Sequence, residues 1–182
     1  ISKGLLEHLT PDEICSVVAH EMGHVKHRHI MAYLLFTGAY IFFISHLLQV
    51  YDFGAHVSAL LICMAMIVYI RFIFAYISRK FEWQADLFSL EIIGGAEPLI
   101  NSLEKIAFYS GNIRSSKSWH HGSIAERVTF LRSAEYDRLV RFIHQRQCSR
   151  IIGDMISVAA FTIVLLYPGS SRETQSNLLS EM

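Results

Sequence analysis

Two long apolar runs limit what this chain can fold into. Residues 30–50 contain no Asp, Glu, Lys or Arg, and residues 55–78 are interrupted only by Arg71. A helix of about 20 such residues spans roughly 30 Å, the thickness of a bilayer core. Only residues 51–54 separate the runs, so we expect a two-helix transmembrane hairpin over residues 30–78. A buried helical hairpin in a soluble protein is the alternative, and runs of this length disfavour it.

Basic residues at both ends of the hairpin predict its orientation. Lys26 and Arg28 precede the first run, and Arg79 and Lys80 follow the second. The short connection between the runs carries no basic residue. By the positive-inside rule, both ends of the hairpin therefore lie in the cytoplasm and its tip lies outside.

A third apolar run, residues 151–167, is short for a membrane span. Because Arg146 and Arg150 precede it, we expect it to cross outward as a third transmembrane helix and to leave residues 168–182 outside as a polar tail. A membrane-surface or re-entrant helix is the alternative. The composition, 52% hydrophobic with a net charge of zero, fits a membrane protein and shows no basic excess that would indicate nucleic acid as a partner.

The sequence His-Glu-Met-Gly-His at residues 20–24 precedes the hairpin. On a helix, residues four apart lie on one face, so His20 and His24 can bind one zinc ion. Glu21 can then reach a water molecule at the metal. This is the minimal machinery for metal-assisted peptide hydrolysis.

The residues before this motif predict the helix that the motif requires. Thr10, Pro11 and Glu13 form the signature of a capped helix start, and apolar residues follow at helical spacing. Gly23 is unfavourable inside a helix by roughly 1 kcal/mol relative to Ala. Its small size serves either to leave room beside the metal or substrate, or to allow close helix packing.

A catalytic zinc ion normally has three protein ligands and a water molecule. His27 lies about 10 Å along the helix from His20, too far to share the ion, and we interpret His27 and His29 as part of a basic, membrane-proximal cluster. Glu82 is the candidate third ligand. Asp86, one helical turn further on, would accept a hydrogen bond from a ligand histidine. The alternative is that Glu82 and Asp86 form a solvent-exposed acidic helix face. We favour the ligand assignment because the helix with two histidines still lacks a third ligand.

These motifs resemble those of the HtpX-like membrane metalloproteases, relatives of the type I CAAX prenyl protease. In that family, His-Glu-x-x-His is followed by a membrane hairpin and then by Glu-x-x-x-Asp, which correspond here to residues 20–24 and 82–86. Residues 5–21 are similar to the family's approach to the first motif. Residues 121–127, His-Gly-Ser-Ile-Ala-Glu-Arg, match a third motif, although the family usually has His-Pro at its start. The resemblance covers about residues 1–131.

The resemblance implies a mainly α, integral-membrane gluzincin-type metallopeptidase domain, with a transmembrane hairpin inserted between the helices that bear the zinc ligands. It implies that His121 lies near the zinc, where it assists the oxyanion or acts as a reversible extra ligand. Arg127 would orient substrate or brace the site, and a structural ion pair is the alternative. The resemblance also implies upstream membrane helices. Because the chain begins at Ile1 and shows no signal peptide, we expect it to lack an N-terminal part.

We therefore predict a membrane-bound zinc metalloendopeptidase with one Zn²⁺ per chain, whose peptidase domain comprises residues 1–29 and 79–150. Its partners would be the lipid bilayer and polypeptide substrates in or near the membrane. By resemblance, we expect protein quality control in a bacterial inner membrane, with the active site in the cytoplasm. CAAX-type processing, a non-catalytic membrane scaffold and a metal carrier or sensor are the alternatives. Helices are expected near residues 11–29, 81–93, 98–109 and 123–147.

Overall fold

The computed structural model describes residues 7–51, 53–111, 113–116 and 122–166. These ranges contain seven α-helices and no β-strand, which confirms the predicted mainly α fold. The helices are α1 Pro11–Lys26, α2 His29–Tyr51, α3 Ala55–Val68, α4 Ala75–Ile93, α5 Glu97–Tyr109, α6 Ile124–Tyr136 and α7 Arg138–Leu166. A π-helical segment, Tyr69–Phe74, makes α3 and α4 one continuous helix.

The chain divides into two compact units, and the first comprises residues 1–30 and 67–151. Its hydrophobic core lies between α1, α4, α5 and α6, each of which turns one apolar face inward. The buried core side chains are Val17, Leu87, Leu90, Ala96, Leu99, Ile100, Leu103, Val128, Leu131 and Ala134. Burial of this apolar surface stabilises the four-helix arrangement that carries the candidate site.

Within the first unit, α1 and α4 are in close contact at Gly23. A Cβ atom at this position would lie 3.0 Å from the Cα of Ala85 and 3.1 Å from the Cβ of Phe88. Such distances are tighter than nine in ten real Cβ contacts, so a side chain here would require the neighbouring atoms of α4 to shift by a few tenths of an ångström. Of the two roles predicted for Gly23, the structure therefore supports close helix packing.

The second unit comprises residues 31–66 and 152–182. In its described part, the Tyr40 hydroxyl donates a hydrogen bond of 2.9 Å to the carbonyl oxygen of Ala65 and so links α2 to α3. Large apolar side chains such as Phe42 and Leu60 point outward and are more than half exposed. Such a surface is unfavourable in water and suits a lipid environment.

Three helical stretches in the described part of the chain are long and apolar enough to cross a membrane. They are His29–Tyr51, Ala55–Ile93 and Arg138–Val164. The predicted apolar runs at 30–50, 55–78 and 151–167 fall largely within these helices. The predicted division of the chain into membrane and peptidase parts remains a prediction.

Several predicted helix boundaries are wrong. The helix predicted from residue 81 begins at Ala75 and continues α3, and the helix that contains residue 147 runs on to Leu166. The first helix ends at Lys26 rather than at residue 29, because Arg28 adopts a left-handed conformation with φ of 54°. The helix predicted over residues 123–147 breaks at Asp137, whose own backbone is extended. The carboxylate of Asp137 accepts a hydrogen bond of 2.7 Å from the backbone N–H of Leu139, which favours a new helix start.

Other local signals are confirmed. Thr10 and Glu13 form a capping box, in which the Glu13 carboxylate accepts a hydrogen bond of 2.7 Å from the backbone N–H of Thr10. Ser123 and Glu126 form the second capping box, at the start of α6. Gly94 ends α4 with φ of 81°, a conformation that glycine adopts without steric cost.

We expect Gly23→Ala to lower the free energy of unfolding by about 1–2 kcal/mol. The added methyl group overpacks the contact with Ala85, and this cost exceeds the gain in helix propensity of roughly 1 kcal/mol. Gly38→Ala, at a helical glycine with no neighbour within 4 Å, is the matched control and should cause no loss. Chemical denaturation in detergent measures both variants, and equal stability of the two would contradict the packing role of Gly23.

Candidate metal centre

Three potential metal ligands come together from α1 and α4. The Nε2 atoms of His20 and His24 lie 3.3 Å apart on one face of α1. The Glu82 carboxylate approaches from α4, with Oε2 at 3.6 Å from His20 Nε2 and Oε1 at 3.7 Å from His24 Nε2. Two ligands of one zinc ion lie at most about 4 Å apart, so this cluster has the size of a zinc site.

His20 is held from behind by a buried carboxylate. Its Nδ1 atom lies 2.9 Å from Oδ1 of Asp86, which is fully buried one turn beyond Glu82 on α4. A carboxylate can only accept, so Nδ1 carries the proton and Nε2 keeps its lone pair. This lone pair faces His24 and Glu82. The structure thus brings Asp86 into contact with His20, and the supporting role of Asp86 at a metal ligand remains a prediction.

Arg127 extends from α6 to both acidic residues. Its guanidinium forms two hydrogen bonds with the Asp86 carboxylate, one of them 2.9 Å from Nε to Oδ2. Its Nη1 atom lies 3.2 Å from Oε2 of Glu82. Nη2 of Arg127 also lies 3.4 Å from Nδ1 of His20. Because Nδ1 of His20 donates its proton to Asp86, it cannot accept a hydrogen bond from Arg127. The role of Arg127, as a residue that orients substrate or braces the site or as a structural ion pair, remains a prediction.

The charges in this cluster support one another. Burial opposes ionisation of Asp86, but Arg127 and the hydrogen bond from His20 outweigh it and lower the pKa of Asp86 to about 2. The acidic neighbours Asp86, Glu82 and Glu21 raise the already high pKa of Arg127, against the effect of burial. Both groups are therefore charged at neutral pH, and they form a buried ion pair.

The donor set fits a divalent cation. The imidazole lone pair of His20 and the Glu82 carboxylate, both electron-pair donors, converge with the Nε2 atom of His24 on one point. The guanidinium of Arg127 lies beside this cluster and contacts the carboxylates of Glu82 and Asp86. His, His and Glu with one open position is the ligand set of zinc peptidases, so these residues fit a Zn²⁺ ion.

His29 occupies a position that differs from its interpretation in the sequence. It is fully buried, so its assignment to a basic, membrane-proximal cluster is wrong. Its ring contacts His24 and Gln84, and neither His29 nor Gln84 was predicted as a site residue. The break at Arg28 allows this contact, and no sequence signal for that break was recognised. His121 lies outside the described residues, so its role remains a prediction.

Comparison with known proteins identifies the class. Residues 1–135 match the model of peptidase family M48, so the chain belongs to this family. The chain is 34% identical to the protease HtpX homolog of Thermoplasma acidophilum over 143 residues, which cover 71% of this chain and 45% of that protein. These matches confirm the resemblance to HtpX-like proteases.

Two further relatives are also protease HtpX homologs. The one from Desulfatibacillum aliphaticivorans is 32% identical over 127 residues, 62% of this chain and 41% of the relative. The one from Neisseria meningitidis serogroup C is 26% identical over 159 residues, 73% of this chain and 57% of the relative. The chain thus spans about half the length of the curated relatives it matches. No solved structure shows a significant match.

We expect Asp86→Asn to lower the free energy of unfolding by about 3–5 kcal/mol, because it leaves Arg127 buried without its main counter-charge. Glu104→Gln is the control, since Glu104 pairs with Arg114 in a largely exposed ion pair worth about 0–1 kcal/mol. Chemical denaturation of both variants in detergent measures the difference. A loss for Asp86→Asn as small as that for Glu104→Gln would show that the buried pair does not stabilise the site.

Proposed function

We propose that this chain is the metal-binding part of a zinc metalloendopeptidase that cleaves membrane or membrane-proximal proteins. The observation that carries the proposal is the convergence of His20, His24 and Glu82 on one point, with Glu21 beside them. Membership of peptidase family M48 supports peptide hydrolysis as the reaction. One Zn²⁺ per chain is the cofactor that this ligand set favours.

Zinc bound by these three residues would polarise the scissile carbonyl group and lower the pKa of a water molecule. Glu21 is exposed, directly follows the ligand His20, and interacts electrostatically with His24 and Arg127. Its carboxylate is the general base that takes a proton from the attacking water and delivers it to the leaving amine. An intact base at this position also disfavours a purely structural metal site.

Asp86 and Arg127 contribute by holding the ligands in place. Asp86 fixes the ring of His20, and Arg127 holds both Asp86 and the Glu82 carboxylate. Because His20 and Glu82 are buried and held by these contacts, little reorganisation of them is needed during the reaction. His121 remains our proposed partner of the oxyanion or reversible extra ligand, on the strength of the family motif alone.

The apolar helices support a membrane setting. His24 precedes the first apolar run by a few residues, and Glu82 follows the second run at a similar distance along the chain. We therefore infer an integral membrane protein whose site acts on substrates held near the bilayer. The names of the relatives support a protease. The distribution of basic residues favours a site on the cytoplasmic side. Quality control in a bacterial inner membrane is our proposal from the family resemblance alone.

Glu21→Gln should leave zinc bound and lower the rate of cleavage by roughly 10²–10⁴-fold, because it removes the general base but no metal ligand. Asp12→Asn, which changes another exposed carboxylate of α1, is the control and should leave turnover unchanged. Cleavage of an unfolded protein substrate and zinc content are measured on the same detergent-purified samples. Turnover of Glu21→Gln close to that of the unaltered protein would refute the role of Glu21.

A further inference from the structure

Each of the two candidate ligand histidines has a second ring nitrogen, Nδ1, and a hydrogen-bond partner at this atom fixes the orientation of the ring. For His20 the partner is the carboxylate of Asp86. For His24 the partner is another histidine, His29, whose Nδ1 atom lies 2.8 Å from Nδ1 of His24. The structure therefore supports the two ligands in chemically different ways.

His29 is firmly placed. Its side chain has 0% exposure, and its ring stacks on that of Phe81 with centroids 4.1 Å apart and an interplanar angle of 5°. Arg28, with its left-handed backbone, interrupts the helix between α1 and α2. The resulting turn brings the ring of His29, only five residues after His24, into contact with the ring of His24. On an uninterrupted helix, residues five apart would not face each other in this way.

Gln84 completes the arrangement from α4. Its Oε1 atom lies 3.0 Å from Nε2 of His29, and Gln84 itself is buried. A continuous chain of hydrogen bonds thus runs from Gln84 through His29 to His24. It ends at the ring whose Nε2 atom faces His20 and Glu82.

The direction of this chain follows from hydrogen-bonding capacity. Oε1 of Gln84 can only accept, so Nε2 of His29 carries a proton. Neutral His29 then has an unprotonated Nδ1, which accepts from Nδ1–H of His24. His24 is thereby left with a lone pair on Nε2, as a metal ligand requires. In the reversed arrangement the proton would lie on Nε2 of His24 and would block metal binding.

We propose that Gln84 and His29 are positioning residues that fix His24 in the Nδ1–H form and aim its Nε2 lone pair at the metal. The proposal rests on the proposed function, since it takes His24 to be a ligand. We call the hydrogen-bonded series Gln84, His29 and His24 the relay. The relay is neutral, whereas His20 is supported by the anionic carboxylate of Asp86. The relay therefore orients the second ligand without adding a further buried negative charge beside Glu82 and Asp86.

Zinc affinity of the full chain in detergent, measured by competition with a chromogenic chelator, tests the proposal. Gln84→Met keeps the length and bulk of the side chain but removes the acceptor, and should weaken zinc binding by roughly 10–100-fold. Gln84→Glu retains an acceptor oxygen, although it adds a buried charge, and should bind zinc more tightly than Gln84→Met. Cobalt substitution should show a changed visible spectrum for Gln84→Met only, because the orientation of a ligand has changed.

Ser89→Ala is the matched control for a purely structural effect. Ser89 also lies on α4 and donates a buried hydrogen bond of 2.7 Å to the carbonyl oxygen of Ser16 on α1, outside the ligand cluster. Its loss weakens the same helix contact but should leave zinc affinity unchanged. Equal zinc affinity of Gln84→Met and the unaltered protein, or equal weakening in Gln84→Met and Ser89→Ala, would overturn the relay.

A measurement on the unaltered protein tests the relay even if the variants fail to fold. Nitrogen-15 NMR of histidine-labelled, zinc-loaded protein distinguishes the two neutral forms of His29. The Nε2–H form supports the relay, and the Nδ1–H form would overturn it. If the unaltered protein binds no zinc, the proposed function itself fails, which separates that outcome from failure of the relay alone.

Discussion

The close contact between α1 and α4 at Gly23 is the constraint on which the rest of the site depends. His20 and His24 lie on α1, and Glu82 and Asp86 lie on α4, far apart in the sequence. The absence of a side chain at Gly23 lets the backbone of Ala85 approach closely, and this spacing brings the side chains on the two helices together. A wider spacing would withdraw the Glu82 carboxylate from the two histidines and Asp86 from His20. The metal site is therefore a property of helix packing as much as of its ligands.

This packing brings acidic groups into the protein interior, where charge is costly without compensation. The positively charged guanidinium of Arg127 compensates for this cost through its contacts with the carboxylates of Asp86 and Glu82. A divalent cation held by His20, His24 and Glu82 would add positive charge beside the Glu82 carboxylate. Such an ion would couple stability to metal binding, since any ion that binds only the folded chain stabilises it. His29 and Gln84 extend the supporting layer to the second ligand histidine.

Much of the site was predictable because its signals are local. The spacing of His20 and His24 on a capped helix and of Glu82 and Asp86 on a second helix needs only helical periodicity. The apolar runs indicate helices by length alone. Pairing the two helices required a chemical argument, namely that two histidines lack a third ligand, and the structure brings Glu82 to them.

The features that were missed depend on tertiary structure or on backbone conformations without a strong sequence signal. Arg28 is a rare non-glycine residue in the left-handed region, so nothing in the local sequence predicts the turn that buries His29. Asp137 interrupts a helix between two segments that each favour helix. The second apolar run and the helix that carries Glu82 were predicted as separate helices, but they form one continuous helix over residues 55–93, which contain no Gly or Pro.

Zinc content per chain tests the central claim most directly. It is measured on detergent-purified protein beside Glu82→Ala and beside Glu91→Ala, which changes an exposed carboxylate of the same helix. The account predicts about one zinc ion per chain in the unaltered protein and in Glu91→Ala, and a clear loss in Glu82→Ala. Folded protein without zinc, or zinc retained in full by Glu82→Ala, would contradict it.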